Sequence, residues 1–355
     1  MDRNQWKWLA VSIVFSIIVL ALVLYFTIDE QTITYLQQLK PEYLIAALLL
    51  HMLSLCFWSM RIKMMSQSLG YKVPFLHCMN MVFANLLIAA VTPSQAGGEP
   101  VRIHELYRAD VPLGDATAIV IMERVLDGIL LGIIGGVAMF LLWIGAEELG
   151  LTITIPLLFM WILIVGFVVL FAYSVKNPEF LKRLIKKVSG WFTKRWRAEK
   201  IEKLTKDIDE EVDNFNSALK NYVSHSKRGL MWGALFTVLY WFSEFYIASL
   251  ILMGLGEGPH IVESFVAQII IAIIMMIPLT PGSSGIAELS ATSLYALFVP
   301  SAIVGIFVVL WRLILYYFNI FLGIFGTVII VKREVVRKAI KDKIAKAGAG
   351  LQKRE

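Results

Sequence analysis

Long apolar runs separated by short polar segments make up most of the chain. Those at 8–26, 43–60, 116–144, 153–175, 229–254 and 301–331 are near or above the ~20 residues that cross a bilayer core as a helix. Two further runs, 75–91 and 263–279, end in breaks that read "VTPSQAGGEPVRIHEL" at 91–106 and "LTPGSSGIAELSATSL" at 279–294. Proline lacks the N–H that a helix interior needs, and the glycines beside it do not favour helix either. The pattern predicts an all-α polytopic membrane protein with about six full transmembrane helices and two shorter, broken segments.

Charge orients these elements. The segments 27–42, 145–152 and 255–262 hold one basic residue, Lys40, beside Asp29, Glu30, Glu42, Glu147, Glu148 and Glu257. The segment 176–228 holds 14 Lys/Arg against 8 Asp/Glu, and the tail 332–355 holds 9 against 3. With the basic residues of the N-terminus, 61–74 and 100–115, one side collects 30 of the 33 Lys and Arg. The positive-inside rule makes that side cytoplasmic and puts both termini there. Segments 61–74 and 100–115 then lie on one side, so 75–99 must enter and return as a re-entrant hairpin. One turn would divide it into half-helices of about 10 residues each, with "TPSQAGG" at the tip. The same reasoning makes 263–300 a hairpin entering from outside.

Shifted by 188 residues, Thr92, Pro93, Gly97, Val120, Arg124 and Gly135 fall on Thr280, Pro281, Gly285, Val308, Arg312 and Gly323 without a gap. This suggests an internal repeat of inverted topology, a construction typical of transporters with a midplane site. The expected division is an N-terminal helix and outer loop (1–42), repeat 1 (43–144), a connecting span with basic amphipathic helices (145–228), repeat 2 (229–331) and a basic tail (332–355).

Arg124 and Arg312 are the two basic residues expected inside spans. Intramembrane charge is costly and marks candidate sites, and a guanidinium forks onto phosphate. The plainer alternative is ion pairing, Arg124 with Asp127 on its own helix and Arg312 with an acid such as Glu244. Glu123, Asp127 and Glu244 are the acids expected in spans, either as arginine partners or as proton or cation coupling sites. At each break a helix restarts, at Gly97-Gly98-Glu99 and at Gly285-Ile286-Ala287-Glu288. Helix N-termini aim N–H groups and partial positive charge at an anion. Gln95, Ser94, Ser283 and Ser284 add neutral hydrogen-bonding groups. Glu99 and Glu288 equally fit a second reading, as simple partners of those positive ends, with Pro93 and Pro281 as structural breaks.

Composition changes the picture little. The chain is 58% hydrophobic, above the usual ~45–50%, and has a net charge of +6. Cys56 and Cys78 show no metal-ligand spacing, and no nucleotide, zinc or serine-hydrolase motif is present. No cofactor, metal or nucleic-acid partner is expected. The first apolar run lacks a cleavage signature and reads as a retained helix. In 176–228, Phe180, Leu181, Leu184, Ile185, Val188, Trp191 and Phe192 form an apolar stripe opposite Lys182, Arg183, Lys186 and Lys187. That suits an interfacial helix on an anionic leaflet. A second amphipathic helix, carrying Ile201, Leu204, Ile208, Val212, Phe215 and Leu219, is expected to pack back on the first or on a partner.

"TPSQAGGEPVRIHEL", the following "ERVLDG" and the later "PGSSGIAE" resemble the transmembrane region of lysylphosphatidylglycerol synthases and their stand-alone flippase-like relatives in bacteria and archaea. The resemblance covers roughly residues 10–335. It rests on Gly97, Gly98, Glu99 and Arg102, and on Glu123, Arg124 and Asp127. The second hairpin departs from the family's frequent Pro-Gly-Gly-x-Gly, reading Pro281-Gly282-Ser283-Ser284-Gly285. The resemblance implies translocation of a lipid between leaflets of a prokaryotic cell membrane. It argues against lysyl transfer by this chain, whose longest polar stretch is too short for the synthase's soluble domain. Membrane lipids are the expected partners; a second copy of the chain and a separate lipid-modifying enzyme are further ones. Two other classes stay open, a small-solute or ion transporter with paired hairpins and an intramembrane lipid-modifying enzyme using Glu99, Glu123 or Asp127 as acid or base.

Overall fold

The computed structural model describes residues 30–92, 97–145, 226–275, 280 and 282–333, together with scattered positions in 14–25, 158–183 and 213–224 and Val335. These residues are helical wherever they are regular. Their elements are α1 (Glu30–Gln37), α2 (Pro41–Ser68), α3 (Phe75–Val91), α4 (Gly98–Arg108), α5 (Leu113–Gly145), α6 (Lys227–Gly254), α7 (Ile261–Met275), α8 (Ile286–Tyr295) and α9 (Ser301–Arg333). Three of them, α2, α6 and α9, are long and apolar enough to cross a membrane. The expected spans 8–26 and 153–175 lie largely outside the described residues, as do Pro93, Ser94, Gln95 and Pro281.

Helices α2 and α6 pack along each other, and the shorter helices pair in sequence, α3 with α4 and α7 with α8. One apolar core gathers Ile247, Ile251, Ala287, Ala291, Tyr295, Ile303 and Phe307. A second gathers Leu55, Ile62, Cys78, Met81, Ile119 and Val120. Lipid-facing helices gain little from the hydrophobic effect, so close van der Waals approach at small residues matters more. α9 shows this at Gly323 and Gly326. A Cβ on Gly323 would lie 2.6 Å from Leu87 Cβ, and one on Gly326 would lie 2.5 Å from Phe83 Cβ.

Several boundaries differ from the pattern. The run expected to end at residue 60 continues as helix to Ser68 and carries Arg61 inside it. The stretch 100–115, expected as an inner loop, begins within helix α4, where Arg102, Glu105 and Leu106 are buried. The first broken segment is therefore two unequal helices of 17 and 11 residues around 92–97, not two halves within 75–99. Arg61 and Arg102 pair with Glu123 inside the protein instead of lying in loops. In the turn after α2, Tyr71 donates to Asp115 (2.5 Å), which pushes its phenol up to about 12.

α9 contains one π-helical turn, Leu313–Tyr317. Such turns release backbone groups from the regular ladder and are frequent at functional sites. Of the basic segment 176–228, Lys182 pairs with Asp213 at 2.7 Å, which links the two expected amphipathic helices. The remainder of that segment lies largely outside the described residues, as does the tail beyond Val335.

Candidate functional site

Several polar groupings sit within the described helices, and three of them involve the residues singled out from the sequence. The largest is centred on Glu123 of α5, which is fully buried. Glu123 Oε1 accepts from Arg61 Nε (2.9 Å) and Trp58 Nε1 (3.1 Å), and Oε2 accepts from Arg102 Nη1 (2.7 Å). One turn along α5, Asp127 Oδ1 accepts from Arg61 Nη1 (2.7 Å) and Trp241 Nε1 (2.9 Å). Thr237 accepts a further bond from Arg61 (3.0 Å). Trp58 lies under the Arg102 guanidinium at 5.3 Å.

Arg124 stands at the edge of this group. Its Nε is 3.3 Å from Glu99 Oε1, and its Nη1 is 3.4 Å from Asp127 Oδ2. Glu99 also lies 3.5 Å from Arg102 Nη2. Three arginines thus meet three carboxylates, which lets the charges remain buried. The balance is uneven in hydrogen bonds, however. Arg102 is 0% exposed, and its Nε and Nη2 have no hydrogen-bond acceptor among the described residues. The Arg124 side chain is 36% exposed and Glu99 29%. The cluster therefore has a sealed side at Arg61–Glu123–Asp127 and an accessible side at Glu99–Arg124, with Arg102 between them.

The second grouping lies at the other break. Arg312 Nε is 2.9 Å from Glu288 Oε1, Nη2 donates to Ser284 Oγ (3.3 Å), and the guanidinium covers the Tyr316 ring at 3.9 Å. Glu288, Ser283 and Ser284 are fully buried. The two breaks touch, with Gly282 N–H donating to Thr92 O at 3.2 Å. Gly282 has φ +58°, and a Cβ there would lie 2.6 Å from Ala90 O.

The third grouping is His51, Glu244, Ser54 and Asn319, where His51 Nδ1 meets Glu244 Oε1 at 2.9 Å and Nε2 meets Asn319 Oδ1 at 2.7 Å. Ser54 Oγ donates to the same Glu244 oxygen.

Several expectations need correction. Arg124 and Arg312 are not the only basic residues within the helical bundle, since Arg61 and Arg102 are more deeply buried than Arg124. Glu244 pairs with His51, and Arg312 pairs with Glu288. Arg124 does contact Asp127, but Asp127 is held more closely by Arg61. The restarting helices do not both leave their first amides free. Gly285 N–H donates to Glu288 Oε2 (2.7 Å), and Gly97 N–H donates to Thr92 Oγ1 (3.0 Å). Gly98 instead makes room for Asn85, whose Oδ1 would lie 2.1 Å from a Cβ.

The pattern did contain a signal for the residues it missed. His51, Ser54, Trp58 and Arg61 recur at spacings of three and four along an otherwise apolar helix, as do Thr237, Trp241 and Glu244. Each set therefore lies on one face.

Residues 9–323 match the model of a family described as the lysylphosphatidylglycerol synthase transmembrane region. A UPF0104 membrane protein of Archaeoglobus fulgidus is 35% identical over 317 residues, covering 88% of this chain and 94% of the relative. One from Methanocaldococcus jannaschii is 26% identical, covering 92% and 95%. Another, from Methanothermobacter thermautotrophicus, is 25% identical, covering 79% and 82%.

Proposed function

Because the chain belongs to the lysylphosphatidylglycerol synthase transmembrane-region family, we propose that it is a lipid translocase moving a phosphate-bearing lipid, aminoacylated and glycosylated forms included, between leaflets. One observation carries the reading. At each of two touching helix breaks, a glutamate near the start of the restarting helix meets an arginine of the long helix that follows. The pairs are Glu99–Arg124 at 3.3 Å and Glu288–Arg312 at 2.9 Å. A lipid phosphate competes with the carboxylate for the guanidinium fork. Arg102, whose Nε and Nη2 have no hydrogen-bond acceptor among the described residues, is placed to join Arg124. On this reading the phosphate passes from Arg124 and Arg102 to Arg312, or the reverse.

An inverted repeat supports the exchange. Helices α2 and α6 both have 28 residues, α3 and α7 have 17 and 15, α4 and α8 have 11 and 10, and α5 and α9 both have 33. Gly135 of α5 faces Ile269 and Ile273 of α7, while its counterpart Gly323 of α9 faces Leu87 of α3. Each broken segment thus leans on the other repeat's long helix, as a two-fold axis in the membrane plane requires. The two broken segments are then re-entrant hairpins entering from opposite faces, with both termini cytoplasmic.

The lipid class fits better than a small solute. A groove of about 590 Å³ along α5, lined by Gly128, Ile129, Gly132, Ile133, Trp161 and Val165, is almost wholly apolar. Such a groove accepts an acyl or prenyl chain and offers a hydrated ion nothing. Carrier action also fits better than catalysis, because Glu123 and Asp127 are each committed to arginines and are poorly placed to serve as acid or base.

Reconstitution in liposomes with a fluorescent phospholipid and external dithionite tests the function. Arg124→Ala and Arg312→Ala should each slow translocation by about tenfold or more, the loss of one charge-assisted contact. Unchanged rates in both variants would remove the arginines from the mechanism.

A further inference from the structure

The geometry points to His51 and Glu244 as a proton-binding site that couples this transport to a pH gradient. The coupling rests on the translocase reading; the proton site itself does not.

The amide of Asn319 determines the state of the imidazole. Asn319 Nδ2 donates to Leu315 O at 2.7 Å. Flipping the amide would bring two oxygens together at that distance, so Oδ1 must face His51 Nε2, 2.7 Å away. An amide oxygen only accepts, and Nε2 must therefore carry a proton. At the other ring nitrogen, Nδ1 faces Glu244 Oε1 at 2.9 Å. One proton must lie between these two atoms, and the proposed site holds it on Nδ1, facing an ionised Glu244 that only accepts. His51 is then an imidazolium paired with a carboxylate, neutral as a unit. Releasing the Nδ1 proton would leave a lone pair facing a carboxylate oxygen and one uncompensated negative charge within the bundle.

Among the described residues, no charged group other than Glu244 pairs with His51. On α2, Ser54 Oγ lies between the same Glu244 oxygen and the backbone oxygen of His51, 2.7 Å away. On α6, Glu244 is the one ion-pair partner of His51 among the described residues, and Tyr240 lies one turn earlier. α9 contributes Asn319 and the Phe318 ring, 6.3 Å away. His51 is 1% exposed and Glu244 13%, so Glu244 is the more accessible member of the pair.

This group is also well placed to act on the arginines. α2 carries Arg61, α6 carries Thr237 and Trp241 against the Arg61 cluster, and α9 carries Arg312. Leu315, which fixes Asn319, lies in the π-turn Leu313–Tyr317 immediately after Arg312. A π-turn can return to regular helix by shifting its hydrogen bonds. Loss of the proton weakens the His51–Asn319 hold on that turn and frees α9 to shift beneath Arg312.

Two measurements test the site. In nanodiscs holding the full chain labelled with ¹⁵N-histidine, the resonance lost in His51→Gln should show both ring nitrogens protonated near neutral pH and a bare nitrogen in Glu244→Gln. Should His51→Gln fail to fold, a chain with His77, His104, His225 and His260 all changed to Gln leaves His51 as the sole reporter. A bare nitrogen on His51 in the unmodified protein overturns the proposal. In proteoliposomes, a gradient of about one pH unit should bias lipid movement by up to about tenfold per coupled proton, and that bias should vanish in His51→Gln. A bias that persists in His51→Gln also overturns it. If no lipid moves under any condition, the translocase reading fails, while the nitrogen spectrum still decides the proton site.

Discussion

Glu123 accepts hydrogen bonds from Trp58, Arg61 and Arg102 with none of its own surface exposed. Replacing it by glutamine keeps the shape but turns one acceptor into a donor facing an arginine. Breaking a buried charge set in this way costs about 3–5 kcal/mol. Glu123→Gln should therefore lower the thermal unfolding midpoint in detergent markedly. Arg124→Ala should leave that midpoint nearly unchanged, because exposed pairs contribute only about 0–1 kcal/mol and the Arg124 side chain is 36% exposed. The two variants thus separate a residue that holds the bundle from one proposed to hold the substrate. Charge type alone does not distinguish them, since each arginine near Glu123 has a carboxylate within 3.5 Å.

At the scale of elements, the contact between the two breaks depends on Gly282. Its φ of +58° is in the left-handed region, and a Cβ would meet Ala90 O at 2.6 Å and Tyr316 Cε2 at 3.0 Å. A left-handed alanine costs about 1–2 kcal/mol before any clash is counted. Gly282→Ala should lose about 2 kcal/mol or more by denaturation and open the Gly282–Thr92 bond. The sequence marked this position only through the Pro-Gly pair. That the first break meets the second through Gly282 could not be read there, because the partner lies 190 residues away. Helix lengths were more legible than helix roles. The apolar runs locate α2, α6 and α9, but they do not place Arg61 and Arg102 inside the bundle, because their neutralising partner Glu123 is on another helix.

For the whole molecule, the proposed inverted topology makes a direct prediction about sidedness. In a background with Cys56→Ser and Cys78→Ser, single cysteines at Lys72 and His104 should be labelled by an impermeant maleimide from the cytoplasmic face. Those at Pro259 and Ser301 should be labelled from the opposite face. All four positions are exposed. Labelling of Lys72 and His104 from different faces would mean that the first broken segment crosses the membrane, and the pseudo-symmetry would fail with it.

Apolar periodicity alone determined that this chain is a helical membrane protein, where its long helices lie and where two of its runs break. Those features are local, because a helix satisfies its own backbone and burial in lipid needs no distant partner. The family was legible for a related reason, since its motifs are short and contiguous. The pairing of charges depended on tertiary structure. Whether a buried arginine is neutralised, exposed or left short of acceptors depends on side chains contributed by other helices. So Arg124 proved the accessible arginine and Arg61 the sealed one, and Glu244 found His51 instead of Arg312. The spacing of polar residues gave each helix its polar face, and only the packing of α2, α5, α6 and α9 decided which faces meet.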